Sequence, residues 1–321
     1  MRSRIVFSLL VVAVAAGSSL PTHATQSIQP GEQVCDTPDK SMTIRGVKKG
    51  RNKYAYALPG EKGSIPGPTI ELTEGDCLFV TFVNEADRKM SMHAHGVGYT
   101  VESDGTPLND SCVKPGKTRR FVFNAQAPTT RPDGTVDPGS AGYWHYHDHC
   151  MGTTHGTVGV SKGLFGAIVI RRQGDPIPDQ RVVLVMQGFG FNLKRAPKTP
   201  MPTAAFGERV EFVVIGHGEL HHTFHLHGHR WVDNRTGIPS GFEDETRIID
   251  NRTVGPADSF GFQVIAGEGV GPGAWMYHCH VQSHSDLGME GLFVVTNADG
   301  TISEETRRRI ERWKERAHKS H

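Results

Sequence analysis

Between Trp275 and Met289 the chain reads WMYHCHVQSHSDLGM, with Cys279 between His278 and His280, His284 five residues on, and Met289 five beyond that. Imidazole, thiolate and thioether are soft or borderline donors, so this segment is dense in groups that hold a transition metal. Another histidine, His222, lies upstream in HHTFHLHG. Two imidazoles, one thiolate and a weakly held thioether form the donor set of a copper centre that passes single electrons. A structural zinc site would want a close cysteine pair, and no C-x-x-C occurs. His222, Cys279, His284 and Met289 are therefore expected to hold one copper ion, with Cys279 and His222 in the electron-accepting machinery.

Four H-x-H pairs accompany this set: His93/His95, His147/His149, His225/His227 and His278/His280. On a strand, residues two apart point to one face, so each pair offers two imidazoles to the same side. Eight imidazoles are too many for one ion. Divided two, three and three, they suit three copper ions. His278 and His280 must point opposite to Cys279, so one short segment touches two metal sites. That arrangement couples a one-electron donor to the four-electron reduction of dioxygen to water. His145, which makes a competing H-x-H with His147, is left out along with His155, His217, His221 and His229. These five are expected around the sites or at the surface.

The elements that must position these groups repeat within the chain. AGYWHYHDH (141–149) lies over GAWMYHCH (273–280), and SMHAHG (91–96) lies over TFHLHG (223–228). His145 falls opposite Met276, which decides against it as a ligand. GDCLFVTFVN similarly matches GERVEFVVIG, and KGLFGAIVI matches EGLFVVT. Alternation at Leu78, Val80 and Phe82, and at Val210, Phe212 and Val214, marks strands bounded by Gly, Pro and Asp turns. The expectation is an all-β chain of two Greek-key β-sandwich domains, residues 40–172 and 181–298, joined by a linker over 171–181. The copies differ at the site: Asp148 stands where Cys279 stands, and Met90 where His222 stands. The first domain thus keeps paired histidines alone. Residues 300–321 are expected to form a basic helix, capped by Thr301 and Glu304, with Ile310 and Trp313 on one face.

With 35 Lys and Arg against 34 Asp and Glu, nothing points to nucleic acid or an anionic membrane as partner. Arg2 and Arg4 followed by an apolar run to Ala16 have the layout of a secretory signal, taken as residues 1–24. The expected location is therefore secreted or periplasmic, with no membrane association after cleavage. Export suits four cysteines outside the metal set. They allow three pairings, of which Cys35–Cys77 with Cys112–Cys150 is favoured because neighbouring segments bracket each pair.

On HAHG, DGTPLNDSCVKPGKTRR, YWHYHDH, HTFHLHGHRW, GFQVIAGEGVGPG and MYHCHVQSHSDLGM, the chain resembles the multicopper oxidases, specifically bacterial two-domain laccases, over residues 40–299. The resemblance implies cupredoxin-like domains and four coppers per subunit. It implies a type 1 ion on His222, Cys279 and His284 with Met289 axial. It further implies type 2 ligands His93 and His225, and type 3 ligands His95, His147, His149, His227, His278 and His280. Asp104 matches an acidic residue near the cluster, a proton donor during oxygen reduction, and Tyr99 is placed beside the type 2 ion. Cys112 and Cys150 depart from the pattern and suggest a local disulfide near the cluster. The implied donors are phenols and aromatic amines, with dioxygen as acceptor. The implied assembly is a homotrimer with clusters at subunit interfaces, because head-to-tail contacts close into rings. The alternatives are a metal-ion oxidase (cuprous, ferrous or manganous), a copper nitrite reductase, and a copper electron carrier without turnover. A carrier leaves eight histidines unexplained, and a nitrite reductase needs far fewer of them.

Overall fold

The computed structural model describes residues 34–320. The leader expected over residues 1–24 lies outside them. No helix among the described residues is long and apolar enough to cross a membrane.

Four sheets carry the fold as two sandwiches. In the first, one sheet orders the strands Lys53–Ala57, Lys40–Lys49, Cys77–Asn84 and Thr118–Asn124. The facing sheet orders Ile70–Thr73, Phe165–Arg171, Gly142–His147 and His93–Ala94. Alternating residues Leu78, Val80 and Phe82 face inward to meet Phe121, Phe123, Ile168 and Tyr146. Each such side chain contributes ~1.5–3 kcal/mol by leaving water. The second sandwich repeats this order with Gly190–Phe191, Gln180–Gln187, Arg209–His217 and Ser259–Ile265 in one sheet. The other holds Thr203–Ala205, Glu290–Thr296, Gly273–Cys279 and His222–Leu226, with Asn251–Val254 added at the edge. In both copies the first long strand pairs in parallel with the strand that follows the crossover: Lys40–Lys49 on Cys77–Asn84, and Gln180–Gln187 on Arg209–His217. The all-β, cupredoxin-like expectation is met.

The sandwiches share an apolar seam of Tyr143, Phe165, Ala167 and Val169 against Val185, Val213 and Ile215. At its edge, fully buried Glu211 accepts hydrogen bonds from Tyr143 Oη (2.9 Å), Arg171 Nη2 (2.9 Å) and Arg181 Nε. Arg171 and Arg181, the two ends of the expected linker, also grip Glu71. The linker is thus tied down by charge: Asp175 pairs with Arg235, and Gln263 Nε2 donates to the Pro176 carbonyl.

The C-terminal helix, Glu304–Ser320, forms as expected, but its cap is shifted. Ser303 Oγ, not Thr301, accepts the amide of Thr306. Thr301 instead donates to Asp299 in the preceding turn, which removes it from the helix end. Ile310, Trp313 and Ala317 bury against Ala196, Leu292 and Val294, so this helix docks on the sheet that carries Cys279.

Candidate metal centres

Strand pairing sets the first site. Phe224 stands opposite Cys279 and His225 opposite His278, so Cys279 enters the second core while its neighbours turn outward. Cys279 Sγ lies 3.8 Å from Nδ1 of His222 and 3.6 Å from Nδ1 of His284, and the two nitrogens are 3.2 Å apart. All three groups are buried. Met289 is fully buried in the same core, its carbonyl accepting the amide of Cys279 at 3.0 Å. Three of the four residues expected to share an ion are therefore brought to one place, and the fourth, Met289, is buried in the same core. Burial pushes the Cys279 thiol up, and the Thr223 amide, 3.5 Å from Sγ, opposes that shift. A metal ion displaces such a proton outright. Burial, followed by repulsion from His284, lowers His222 to about 4, which keeps the imidazole neutral as a ligand requires.

On the outward faces the H-x-H pairs converge within each domain. His93 pairs with His147 across the first sheet, as His225 does with His278 across the second. His93, His95 and His147 form one metal-capable group, and His225, His227 and His278 another. His149 closes on His93 (4.7 Å between ring centres) and His147 (4.8 Å), and His280 on His225 and His278 (both 5.4 Å). Several Nδ1–H groups donate to backbone carbonyls: His93 to Asp104 (2.7 Å), His147 to Asp148 (3.1 Å), His149 to Thr154 (3.2 Å), His225 to Asp250 (2.8 Å) and His278 to Cys279 (2.9 Å). This fixes the tautomer and leaves Nε2 as a lone pair for metal. In each domain one of these Nε2 atoms already faces a second imidazole nitrogen at 3.1 Å, His147 to His95 Nε2 and His278 to His227 Nε2. Burial, then the neighbouring His93 and His149, hold His95 at about 4. A cation between these lone pairs fits the donor chemistry.

The H-x-H-G pattern has a packing reason. Gly96 and Gly228 have φ of +73° and +71°, and a side chain at either would strike Trp144 or Trp275. Each glycine turns the chain sharply after the second histidine and admits the tryptophan of the opposing strand.

Around the first-domain group, Asp104 Oδ1 is 3.6 Å from His93 Nδ1, while its Oδ2 accepts from Thr106 and from Asn109 Nδ2 (2.7 Å). Tyr99 packs edge-on to His93 at 5.9 Å. The cysteines pair as Cys35–Cys77 and Cys112–Cys150, the latter tying the chain just past His149 to the loop after Asp104. Of the histidines left out, His145 stacks on His95 at 4.0 Å, and both its ring nitrogens are buried without a partner. His217 lies against His145 and His147. His229 bridges the His227 carbonyl and the Gly267 amide, while His155 and His221 are exposed. Three positions escaped the sequence reading. Asp250 serves His225 as Asp104 serves His93, with Oδ1 3.8 Å from Nδ1, and the internal repeat was the signal for it. Ser285 donates to the Cys279 carbonyl and lies 3.3 Å from His278 Nδ1. Phe189 packs edge-on to His284 at 5.3 Å and has no signal in the motif.

Two family models, both described as multicopper oxidase, match residues 51–175 and 178–299. The chain belongs to the multicopper oxidase family, and with it to copper-binding oxidoreductases. A probable nitrite reductase-hydroxylamine oxidoreductase fusion protein of Kuenenia stuttgartiensis is 33% identical over 266 residues, 75% of this chain and 29% of that protein. Laccase-24 of Oryza sativa subsp. japonica is 32% identical over 133 residues, 39% of this chain and 20% of that protein. The chain thus spans less than a third of the length of these relatives. A solved structure described as a multicopper oxidase superposes with a TM-score of 0.60 at 23% identity, covering 84% of this chain and 94% of that one.

Proposed function

We propose that the chain is a laccase-type oxidase that removes single electrons from phenols or aromatic amines and uses them to reduce dioxygen to water. The carrying observation is the alternation at His278–Cys279–His280: the sulfur faces His222 and His284, and the flanking imidazoles face His225. In this reading His222, Cys279, His284 and Met289 would hold the type 1 copper. His93 and His225 hold the type 2 ion, and His95, His147, His149, His227, His278 and His280 the type 3 pair. Copper, when bound, supplies one-electron uptake at the sulfur site and multi-electron delivery to dioxygen at the histidine cluster. The chain's part is to orient His93, His147, His149, His225 and His278 through their Nδ1–H bonds to carbonyls, and to set the Asp104 carboxyl beside His93 as a proton relay.

Neither three-histidine group mixes residues of both domains, whereas a three-copper cluster calls on all eight. His227 and His280 are exposed in the single chain. Both facts support a head-to-tail assembly in which one copy's first domain faces another copy's second domain, a heterologous contact that closes into a ring such as the homotrimer. Export to the periplasm or outside completes the reading and suits the two disulfides.

The name of the Kuenenia relative keeps nitrite reduction as a second reading. Copper-loaded protein given 2,6-dimethoxyphenol is expected to consume oxygen without releasing peroxide, and not to consume nitrite under nitrogen. Cys279→Ser is expected to lose the intense visible absorption and turnover while staying folded. Nitrite consumption would favour the second reading, cuprous, ferrous or manganous ions as the sole donors a metal-ion oxidase, and the absence of oxygen uptake with every donor a carrier.

A further inference from the structure

The two imidazoles at Cys279 differ in their access to solvent. His222 is sealed, 0% exposed with Nε2 buried and unpartnered, while His284 keeps 9% exposure. A reducing molecule therefore approaches at His284, and one segment from outside the motif crosses there. Residues 188–199 follow the strand Gln180–Gln187 and are pinned at several points. Asn192 bonds the backbone of Val183 and Val185. The Ala196 amide donates to the Gly288 carbonyl at 2.9 Å, and Thr199 Oγ1 to the Glu290 carbonyl at 2.7 Å. The segment sets the Phe189 ring against His284, and the Arg195 guanidinium lies 5.3 Å from the centre of that ring.

Arg195 is exposed, and among the described residues no carboxylate pairs with it. Lys194 and Lys198 beside it are also exposed, and Val281 and Leu287 expose apolar surface on the histidine's own segment. The nearest acidic groups in sequence, Asp286 and Glu290, line a separate cleft under the C-terminal helix with Trp313 and Arg316. The face at His284 thus combines an aromatic ring, an apolar rim and unneutralised positive charge. An arginine held over a ring is positioned to take a carboxylate while a second ring packs beside Phe189.

We propose that Phe189 and Arg195 form the donor seat, and that it selects phenols bearing an anionic group over neutral ones of equal reactivity. This rests on the laccase-type reading. Each phenol gives up one electron and its phenolic proton to become a phenoxyl radical, and the proton leaves to water. Four such electrons with four protons convert one dioxygen to two waters.

The test compares 4-hydroxy-3,5-dimethoxybenzoate with 4-hydroxy-3,5-dimethoxybenzamide on copper-loaded protein. The acid-to-amide ratio of kcat/KM is expected to fall about tenfold in Arg195→Ala, through KM, as loss of one charge-assisted contact requires. Arg195→Lys is expected to restore part of it. Arg120→Ala, which removes the same charge from the first domain, is expected to leave the ratio within about twofold. The redox-inert 3,4,5-trimethoxybenzoate, titrated calorimetrically into copper-free protein, is expected to bind, and to bind about tenfold more weakly to Arg195→Ala. An unchanged ratio in Arg195→Ala, or an equal fall in Arg120→Ala, overturns the seat while leaving the oxidase reading intact. Arg195-dependent binding of the inert acid with no phenol oxidised upholds the seat and sinks the oxidase reading.

Discussion

The carbonyl oxygen of Cys279 lies 2.9 Å from Nδ1 of His278, so the residue whose sulfur faces His222 and His284 is also hydrogen-bonded to an imidazole of the outward group. The covalent link between these neighbours is thereby doubled by a hydrogen bond across the strand. Ser285 completes it: its hydroxyl donates to the same carbonyl and sits 3.3 Å from the same nitrogen. The short helix Gln282–Asp286, which begins two residues after His280, carries both His284 and this serine. One local fold therefore fixes a candidate ligand of the first site and orients a candidate ligand of the second.

Ser285→Ala is expected to keep the intense visible absorption of the copper-loaded protein, because no donor to that site changes. Reoxidation of the reduced sulfur site by oxygen, followed by stopped flow, is expected to slow about tenfold, the usual cost of losing a group that orients a metal-bound histidine. A rate within twofold of the unaltered protein would show that the main-chain hydrogen bond alone holds His278.

Glu211 is expected to govern how firmly the two sandwiches are joined. It is fully buried and receives Tyr143 and Arg171 from the first sandwich, with Arg181 from the end of the connecting segment. Glu211→Gln leaves the two guanidinium groups with Glu71 alone, itself half exposed, and points a donor at them. Breaking a buried pair from one side costs ~3–5 kcal/mol, and the surviving Glu71 contacts place this case near ~3 kcal/mol. Urea midpoints of the copper-free proteins measure it, and a loss below ~0.5 kcal/mol would mean that water already screens the cluster.

What the sequence disclosed follows a physical line. The clustering of the candidate ligands, the repeat, the sandwich class and the opposed facing of Cys279 and its neighbours follow from strand periodicity, which is local and covalent. The H-x-H-G glycines and their tryptophans were visible as matched positions, and the structure adds the contact that explains them. The cysteine pairing was legible because segments that neighbour one another lie beside each pair: Lys40–Lys49 on Cys77–Asn84 for the first, and His93–Ala94 on Gly142–His147 for the second. Phe189 over His284 and Glu211 beneath the linker were not legible, since each meets its partners only after distant segments pack, and neither has a counterpart in the other copy. The helix cap moved from Thr301 to Ser303 because Asp299 captured the threonine in a turn, a competition that a spacing rule does not weigh. Asp250 was available from the repeat. Spacing hides it, because Asp250 comes 22 residues after Gly228, whereas Asp104 comes eight after Gly96.

His217 supplies the pH dependence. It is buried at the domain seam against Phe165, His145 and His147, with Nε2 unpartnered, and burial, then the neighbouring His95, lower it from its usual value of 6.5 to about 3. Between those two values the unfolded chain binds a proton that the folded chain refuses, so folding stability falls as pH drops through this window and the penalty is absent above it. His217→Leu removes the group and is expected to flatten the slope. Between pH 7 and pH 4 the copper-free variant should lose on the order of 3 kcal/mol less stability than the unaltered protein. The slope is reduced and not abolished, because buried His145 is shifted the same way, first by burial and then by His217 itself, and it remains in the variant. Urea midpoints at the two pH values decide it: equal losses in both proteins would mean that His217 takes up its proton in the folded state, with water or a carbonyl reaching a ring that is otherwise sealed.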